Sequence, residues 1–204
     1  AWVWPESLTS PASPHVFTCR YNGTHRSSFY YNSAGSAITY WSNGGARIIG
    51  PTLKTKQWYH VALSSDGTTT TMWINGESKG TTTHTQSNYD MTMYVGAAVG
   101  SGVESSGYWN GNITDARVVK GTQVYTSNFT PPAAPLTAVT NTKLLIQNTD
   151  AGIIDKSQFV KDLRLVGNTK SSTAQSKYLT SSMYFDGTGD YVTLDNIQLP
   201  ADFT

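Results

Sequence analysis

The chain has 204 residues, enough for one β-sandwich or for one domain and part of a second. Charged residues make up 13% and the formal net charge is +1, so electrostatics favours neither nucleic acid nor an anionic membrane as a partner. A single cysteine, Cys19, excludes an intrachain disulfide and a cysteine-based metal cluster, and no apolar run approaches the ~20 residues of a membrane span.

The first elements are short. Ala1 to Trp4 predicts a strand with Trp2 and Trp4 on one face, which Pro5 ends or places at an edge. Glu6 to Pro14 is a Ser/Thr/Pro loop. Val16 to Arg20 is a strand candidate, followed by a turn at Asn22-Gly23. Arg26 to Asn32 and Ala37 to Trp41 pair across the turn between them, and Asn43-Gly44-Gly45 turns the chain into a short strand from Ala46 to Ile49.

The strongest local signal is Gln57 to Gly80. Trp58 to Leu63 is rich in aromatic and branched residues. Asp66-Gly67 predicts a tight hairpin, because both turn residues can take positive φ. Thr68 to Ile74 returns with Thr70, Met72 and Ile74 on one face and Trp73 on the other, and Asn75-Gly76 makes a second hairpin turn. The expected product is a three-strand antiparallel meander.

Thr81 to Tyr89 is a polar loop, Met91 to Val95 an alternating strand, and Gly96 to Gly107 a Gly/Ser loop. Ile113 to Val119 predicts one strand with Ile113, Asp115, Arg117 and Val119 on one face and Thr114, Ala116 and Val118 on the other. Lys120 to Pro135 is an irregular exit, where Pro131-Pro132 prevents sheet pairing. Residues 137–142 are expected to link the main part, 1–136, to a tail, 143–204. In the tail, Lys143 to Ile146, Leu163 to Val166, Met183 to Phe185 and Tyr191 to Leu194 are strand candidates. Short strands, frequent turns and the lack of a long helix predict an all-β antiparallel sandwich.

Three patches resemble a known family. The central hairpin, with Trp58, His60, Val61 and Ala62 before Asp66-Gly67 and Asn75-Gly76, is similar to that of the laminin-G-like, concanavalin A-like jelly rolls. Gly107 to Thr137 resembles the last strand and exit segment of versions common in bacteriophage and marine microbial proteins, and Ser181 to Leu194 an early strand pair of the same family. The resemblance implies a concanavalin A-like jelly roll. It also exposes an odd order. In the family, segments like those of the tail open the domain, then a D-F-T stretch leads into a strand like E-A-W-V-x-P. Here Asp202-Phe203-Thr204 ends the sequence and Ala1-Trp2-Val3 begins it. The tail is expected to close its own sandwich as a circular permutation would, to complete a neighbouring copy, or to mark one register of a tandem array; completion by a neighbour is favoured. Residues 183–194 are then expected to pair with the sheet that contains Trp2 to Trp4. With no basic-then-apolar leader and no initiator Met, the chain is expected to be a piece of something longer or a processed chain.

Chemistry is sparse. Asp186 and Asp190, with the carbonyls of the Gly-rich turn between them, are able to bind calcium, which the resemblance also implies near a sandwich rim; an Asp-Gly turn whose carboxylates cap backbone N–H groups is the alternative. Glycosidases of this fold use a carboxylate pair on an E-x-D-x-E strand, but Glu6, Glu77 and Glu104 are scattered, so no enzyme is expected. Cys19 and His15 are four apart in a strand without a nucleophile signature, and His60 reads as a packed structural histidine. Sugars are bound by aromatic faces with nearby amides and hydroxyls, which makes Tyr21, Tyr30, Tyr31, Trp41, Tyr108 and Trp109 candidate platforms beside Asn22, Asn43 and Asn110, although about half of strand aromatics must face a core. Asn22, Asn112 and Asn128 each begin an N-x-T sequon. These features predict a non-catalytic structural and adhesive module on a virion or extracellular fibre, partnered by copies of itself and by cell-surface glycan. The alternative is a monomeric lectin-like module of a bacterial surface or secreted protein.

Overall fold

A computed structural model describes the chain except residues 10–12, 22–25, 43–44, 84–88, 100–103, 200–201 and 204. The strands are, in order, β1 (Trp2–Ser7), β2 (His15–Arg20), β3 (Arg26–Asn32), β4 (Ala37–Ser42), β5 (Gly45–Ile49), β6 (Tyr59–Asp66), β7 (Thr69–Ile74), β8 (Glu77–Thr83), β9 (Tyr89–Val95), β10 (Ala98–Val99), β11 (Glu104–Ser106), β12 (Asn110–Thr114), β13 (Ala116–Val119), β14 (Thr142–Thr149), β15 (Gly152–Asp155), β16 (Arg164–Val166), β17 (Lys170–Ser172), β18 (Ser182–Asp186), β19 (Tyr191–Leu199) and β20 (Asp202–Phe203). The described residues contain no helix.

Two large antiparallel sheets face each other. The first runs β17-β18-β12-β1-β6-β7-β8, with β20 also on β6, and the second runs β16-β19-β9-β2-β3-β4-β5. Alternation decides what lies between them. Val3, Val61, Leu63, Met72, Ile113 and Phe185 of the first sheet meet Phe29, Ile38, Tyr40, Met93, Val95 and Val192 of the second in one apolar core. A three-stranded sheet, β13-β14-β15, extends it at one end.

The central meander forms as β6, β7 and β8, with Met72 and Ile74 in the core and Trp73 on the far side. Asn75 (φ 52) and Gly76 (φ 80) are the two-residue hairpin that their sequence predicts. Asp66-Gly67 is not. Only Gly67 has positive φ, the last pair is Ser65 with Thr70, and the loop is held by Asp66 Oδ1 accepting from the N–H groups of Thr68 and Thr69. Pro5 does not end its strand either. β1 continues to Ser7, but β6 pairs with it only at Trp2 and Val3. Pro5 therefore has β12 alone as ladder partner and sits at an edge, the other place the sequence allows it, with a register shift between Pro5 and Ser7.

The predicted strand from Ile113 to Val119 is two strands. Asp115, at φ 52, breaks it, and the chain passes from β12 in the first sheet to β13 in the third. The break inverts the alternation, so Ile113, Ala116 and Val118 all reach the core. Asp115 itself is buried, accepting from Gln147 Nε2 at 2.6 Å and from the Leu136 N–H at 3.2 Å, and burial raises its pKa.

Within the one chain described, the tail lies in its own sandwich, one of the three arrangements the sequence leaves open. β18 pairs with β12, register Met183 to Ile113 through Asp186 to Asn110, and so joins the sheet of β1. β19 pairs with β9 in the opposite sheet. Only the first half of residues 183–194 therefore lies in the sheet of Trp2 to Trp4. Gly96 marks the packing of body on tail: at φ 87, a Cβ there would stand 2.5 Å from Phe185 Cε1.

Candidate functional site: an aromatic and hydroxyl strip on the second sheet

The two outer faces of the sandwich differ. The first sheet's is covered in part by the exit segment. Tyr125 and Phe129 stack on each other, 3.8 Å between centroids, and both present their faces or edges to His60. Ser64 Oγ donates to the Tyr125 carbonyl, and the Phe129 N–H donates to the Gly76 carbonyl. Trp2, on the same side, is capped by Lys177 and Tyr178.

The second sheet turns other residues outward. Met93 and Val95 point into the core, so Tyr94 points out; Cys19 points in, so Thr18 points out; Phe29 points in, so Ser28 and Tyr30 point out; Tyr40 points in, so Trp41 points out. Register aligns these in one row across five strands: Thr193, Tyr94, Thr18, Ser28, Trp41. Tyr94 and Trp41 are half-buried rings three strands apart, about 14 Å at ordinary strand spacing. Between them lie the hydroxyls of Thr18 and Ser28, 3.2 Å apart and buried, at 1% and 2% exposure. Arg20 and Arg26 are paired across β2 and β3 at one end, with the Arg26 guanidinium 4.2 Å from the Trp41 ring centroid. Partial burial, and then the charge of Arg20, lower the Arg26 pKa. At the other end His15 stacks on Tyr30 at 4.8 Å, with its Nδ1 2.7 Å from the Ser13 carbonyl; burial lowers the His15 pKa to about 4, so the ring is neutral.

Three of the aromatic candidates fall on this face or at its end. Tyr30 and Trp41 are in it, and Tyr21, 54% exposed, follows Arg20 at the arginine end. The others do not join them. Trp109 is fully buried in the core, so its ring is closed to a ligand; Tyr31 is also a core residue. Tyr108 is half-buried, one residue beyond Gly107, whose carbonyl accepts from the His15 N–H. Asn22 and Asn43 lie outside the described residues. Tyr94, Thr18, Ser28 and Arg26 were not singled out by sequence, although the alternation of Met93, Tyr94 and Val95 contains the signal for Tyr94.

Asp186 and Asp190 act as turn caps. Asp190, fully buried, accepts from the N–H groups of Asn168 (2.5 Å) and Asp186 (2.8 Å). Asp186 accepts from the Thr188 N–H (2.7 Å) and from Asn168 Nδ2 (3.0 Å). Burial raises the Asp190 pKa, opposed by these hydrogen bonds. All four oxygens already have internal donors, and no group of three candidate metal ligands occurs among the described residues, so this pair does not fit calcium. Other candidates are also committed. Glu6 pairs with Lys56 at 3.4 Å and Glu77 with Lys79 at 2.6 Å. A bulge between His15 and Phe17 separates His15, on the outer face, from Cys19, which is buried in the core with its pKa pushed up to about 12. His60 is the packed histidine expected, ringed by Trp2, Tyr125 and Phe129. Two sequon asparagines are engaged: Asn112 is buried and donates to Ser182 Oγ, and Asn128 accepts from the Ser78 N–H.

The fold and the family agree. The chain belongs to the concanavalin A-like lectin/glucanase superfamily, whose laminin-G-type sequence model matches residues 1–152. Members are mostly binding modules of carbohydrate-binding or adhesion type, typically extracellular or on surfaces. Comparison with curated proteins and with solved structures found no significant match. No helix among the described residues is long and apolar enough to cross a membrane.

Proposed function

We propose that this protein is a non-catalytic adhesion module that binds glycan on the outer face of its second sheet. The observation that carries this reading is the cross-strand row of Tyr94, Thr18, Ser28 and Trp41. Flat rings stack on the apolar face of a sugar, and here the two half-buried rings are spaced by the buried, mutually bonded hydroxyls of Thr18 and Ser28. Arg20 and Arg26 direct an acidic group of the glycan to one end. The low charge and the phage-like exit segment support a place on a virion or extracellular fibre, where strand edges make contacts between copies. Closure of the sandwich by its own tail supports the second reading, a monomeric lectin-like module.

The test is retention on an array of neutral and acidic glycans. Trp41→Ala and Tyr94→Ala are each expected to weaken binding about tenfold or more, the effect of losing one stacked ring. Tyr108→Ala is expected to leave it unchanged. Full retention by both ring variants, with unaltered melting, refutes the site.

A further inference from the structure

The exit segment covers the first sheet's outer face at His60, Ser64 and Trp73, and Lys177 and Tyr178 cap Trp2. One step along the strands the same face carries a second aromatic row. Val3, Met183 and Phe185 point into the core, so Trp4 and Tyr184 point out. Register places Trp4, Asn112, Tyr184 and Lys170 side by side on β1, β12, β18 and β17. Trp58 extends the row, because Trp2 and Val3 pair with His60 and Tyr59 and the next position falls on Trp58. Its ring centroid lies 5.8 Å from that of Trp4 with the planes at 54°, so neither indole lies flat on the other. Trp4, Trp58 and Tyr184 are each partly exposed. Trp4 and Tyr184 are two strands apart, about 10 Å at ordinary strand spacing.

Charged groups stand at the open rim of this row. Glu6 Oε2 lies 3.5 Å from Trp4 Nε1, and Glu6 Oε1 lies 3.4 Å from Lys56 Nζ. Both side chains remain accessible, at 49% and 68% exposure. Backbone geometry fixes Lys56 there: its φ is 59, and its N–H donates to the Pro5 carbonyl at 2.8 Å. A lysine in the left-handed region is strained and persists only where its surroundings hold it. The Lys54 N–H donates to the Tyr59 hydroxyl at 2.8 Å, which fixes the approach to Trp58. Asn112 is buried, donates to Ser182 Oγ at 2.9 Å and forms the floor between the rings. Beside the indoles the two rim charges are paired, unlike Arg20 and Arg26 on the other sheet, and this suits a neutral guest rich in hydroxyls. Indole faces take the apolar face of a pyranose, a carboxylate accepts from its hydroxyls and an ammonium donates to them.

We propose that Trp58, Trp4 and Tyr184 form a second glycan platform, on which a neutral oligosaccharide lies across β1, β12 and β18. The indole pair stacks one sugar, Tyr184 stacks another further along the chain, and Glu6 with Lys56 holds the hydroxyls of the first. The platform extends the adhesion reading to the opposite outer face from Trp41, so one molecule carries a glycan site on each side. Its geometry is independent of the second-sheet row, and either site can fail without the other.

The test is a nuclear magnetic resonance titration read on the indole N–H signals of the six tryptophans, assigned by single Trp→Phe substitutions. The probes are neutral tetrasaccharides of glucose, mannose, galactose and N-acetylglucosamine. At least one is expected to move the Trp4 and Trp58 signals together and to saturate. Read on the Trp4 signal, Trp58→Ala is expected to weaken that probe about tenfold, and Lys56→Met, a change at an exposed side chain, about threefold. The Trp41 signal reports the second sheet in the same spectrum, so the two sites are scored separately. Trp4 and Trp58 signals that no probe moves at millimolar concentration overturn the platform, whether or not Trp41 moves. Undiminished affinity in both Trp58→Ala and Lys56→Met overturns it as well.

Discussion

Ser64→Ala tests whether the exit segment is fixed to the first sheet. Ser64 is fully buried, and its hydroxyl accepts from Trp73 Nε1 and donates to the Tyr125 carbonyl, each at 2.8 Å. Alanine leaves an indole N–H, itself in a buried ring, and a carbonyl without these partners. An orphaned buried donor or acceptor costs about 1–3 kcal/mol, so a loss of about 3 kcal/mol is expected, with a fall in Tm of about 9 °C for a chain of this size. Urea unfolding followed by tryptophan fluorescence measures it. The pairing is isolated by Trp73→Phe, which removes the N–H and keeps a ring against Phe129. In that background Ser64→Ala is expected to cost at least about 1 kcal/mol less. A loss below about 0.5 kcal/mol for Ser64→Ala, or an equal cost in both backgrounds, refutes the clip.

Two further variants read other parts of the core. His60 is held neutral by burial, its pKa lowered to about 2, while an unfolded histidine protonates near 6.5. Stability from this group is present above pH 6.5 and is lost as pH falls, at about 1.4 kcal/mol per unit. His60→Phe is expected to recover about 2 kcal/mol at pH 5 and little at pH 8; parallel pH dependences for the two proteins would count against the buried neutral ring. Asp190→Ala orphans two N–H groups and is expected to cost about 3 kcal/mol in urea unfolding, while millimolar calcium moves the Tm of the unaltered protein by less than about 1 °C. A calcium shift of several degrees, abolished by Asp190→Ala, would restore the pair as metal ligands.

Much of this architecture is visible in the chain as alternation. Met72 and Ile74 against Trp73, and Asn75-Gly76 after them, place three strands and a turn because side chains and φ preferences act locally there. Other features depend on distant partners. Asp115 breaks a strand that alternation alone makes continuous, and Gln147 and Leu136, from elsewhere in the chain, hold its carboxylate. The direction of an aromatic is equally non-local. Tyr108-Trp109 lacks flanking alternation, and only packing sends Trp109 inward. Tyr94 is locally assignable to the outside, yet its importance comes from register, which brings Thr18, Ser28 and Trp41 beside it from three other strands.

The two outer faces constrain each other. Sheets of a sandwich need one apolar face each, and the second face is free to carry function only if nothing else is laid on it. In the first sheet the outward residues His60, Ser64 and Trp73 are ring and hydrogen-bond partners for Tyr125 and Phe129, so that part of the face is spent on holding the exit segment. The outward row of the second sheet is built from a different chemistry, with two rings flanking small hydroxyls and arginines at one end. Loosening the exit segment by Ser64→Ala should therefore lower stability without touching glycan retention, whereas Trp41→Ala should do the reverse. Glycan binding lost in Ser64→Ala while the protein remains folded would place the ligand on the covered face instead.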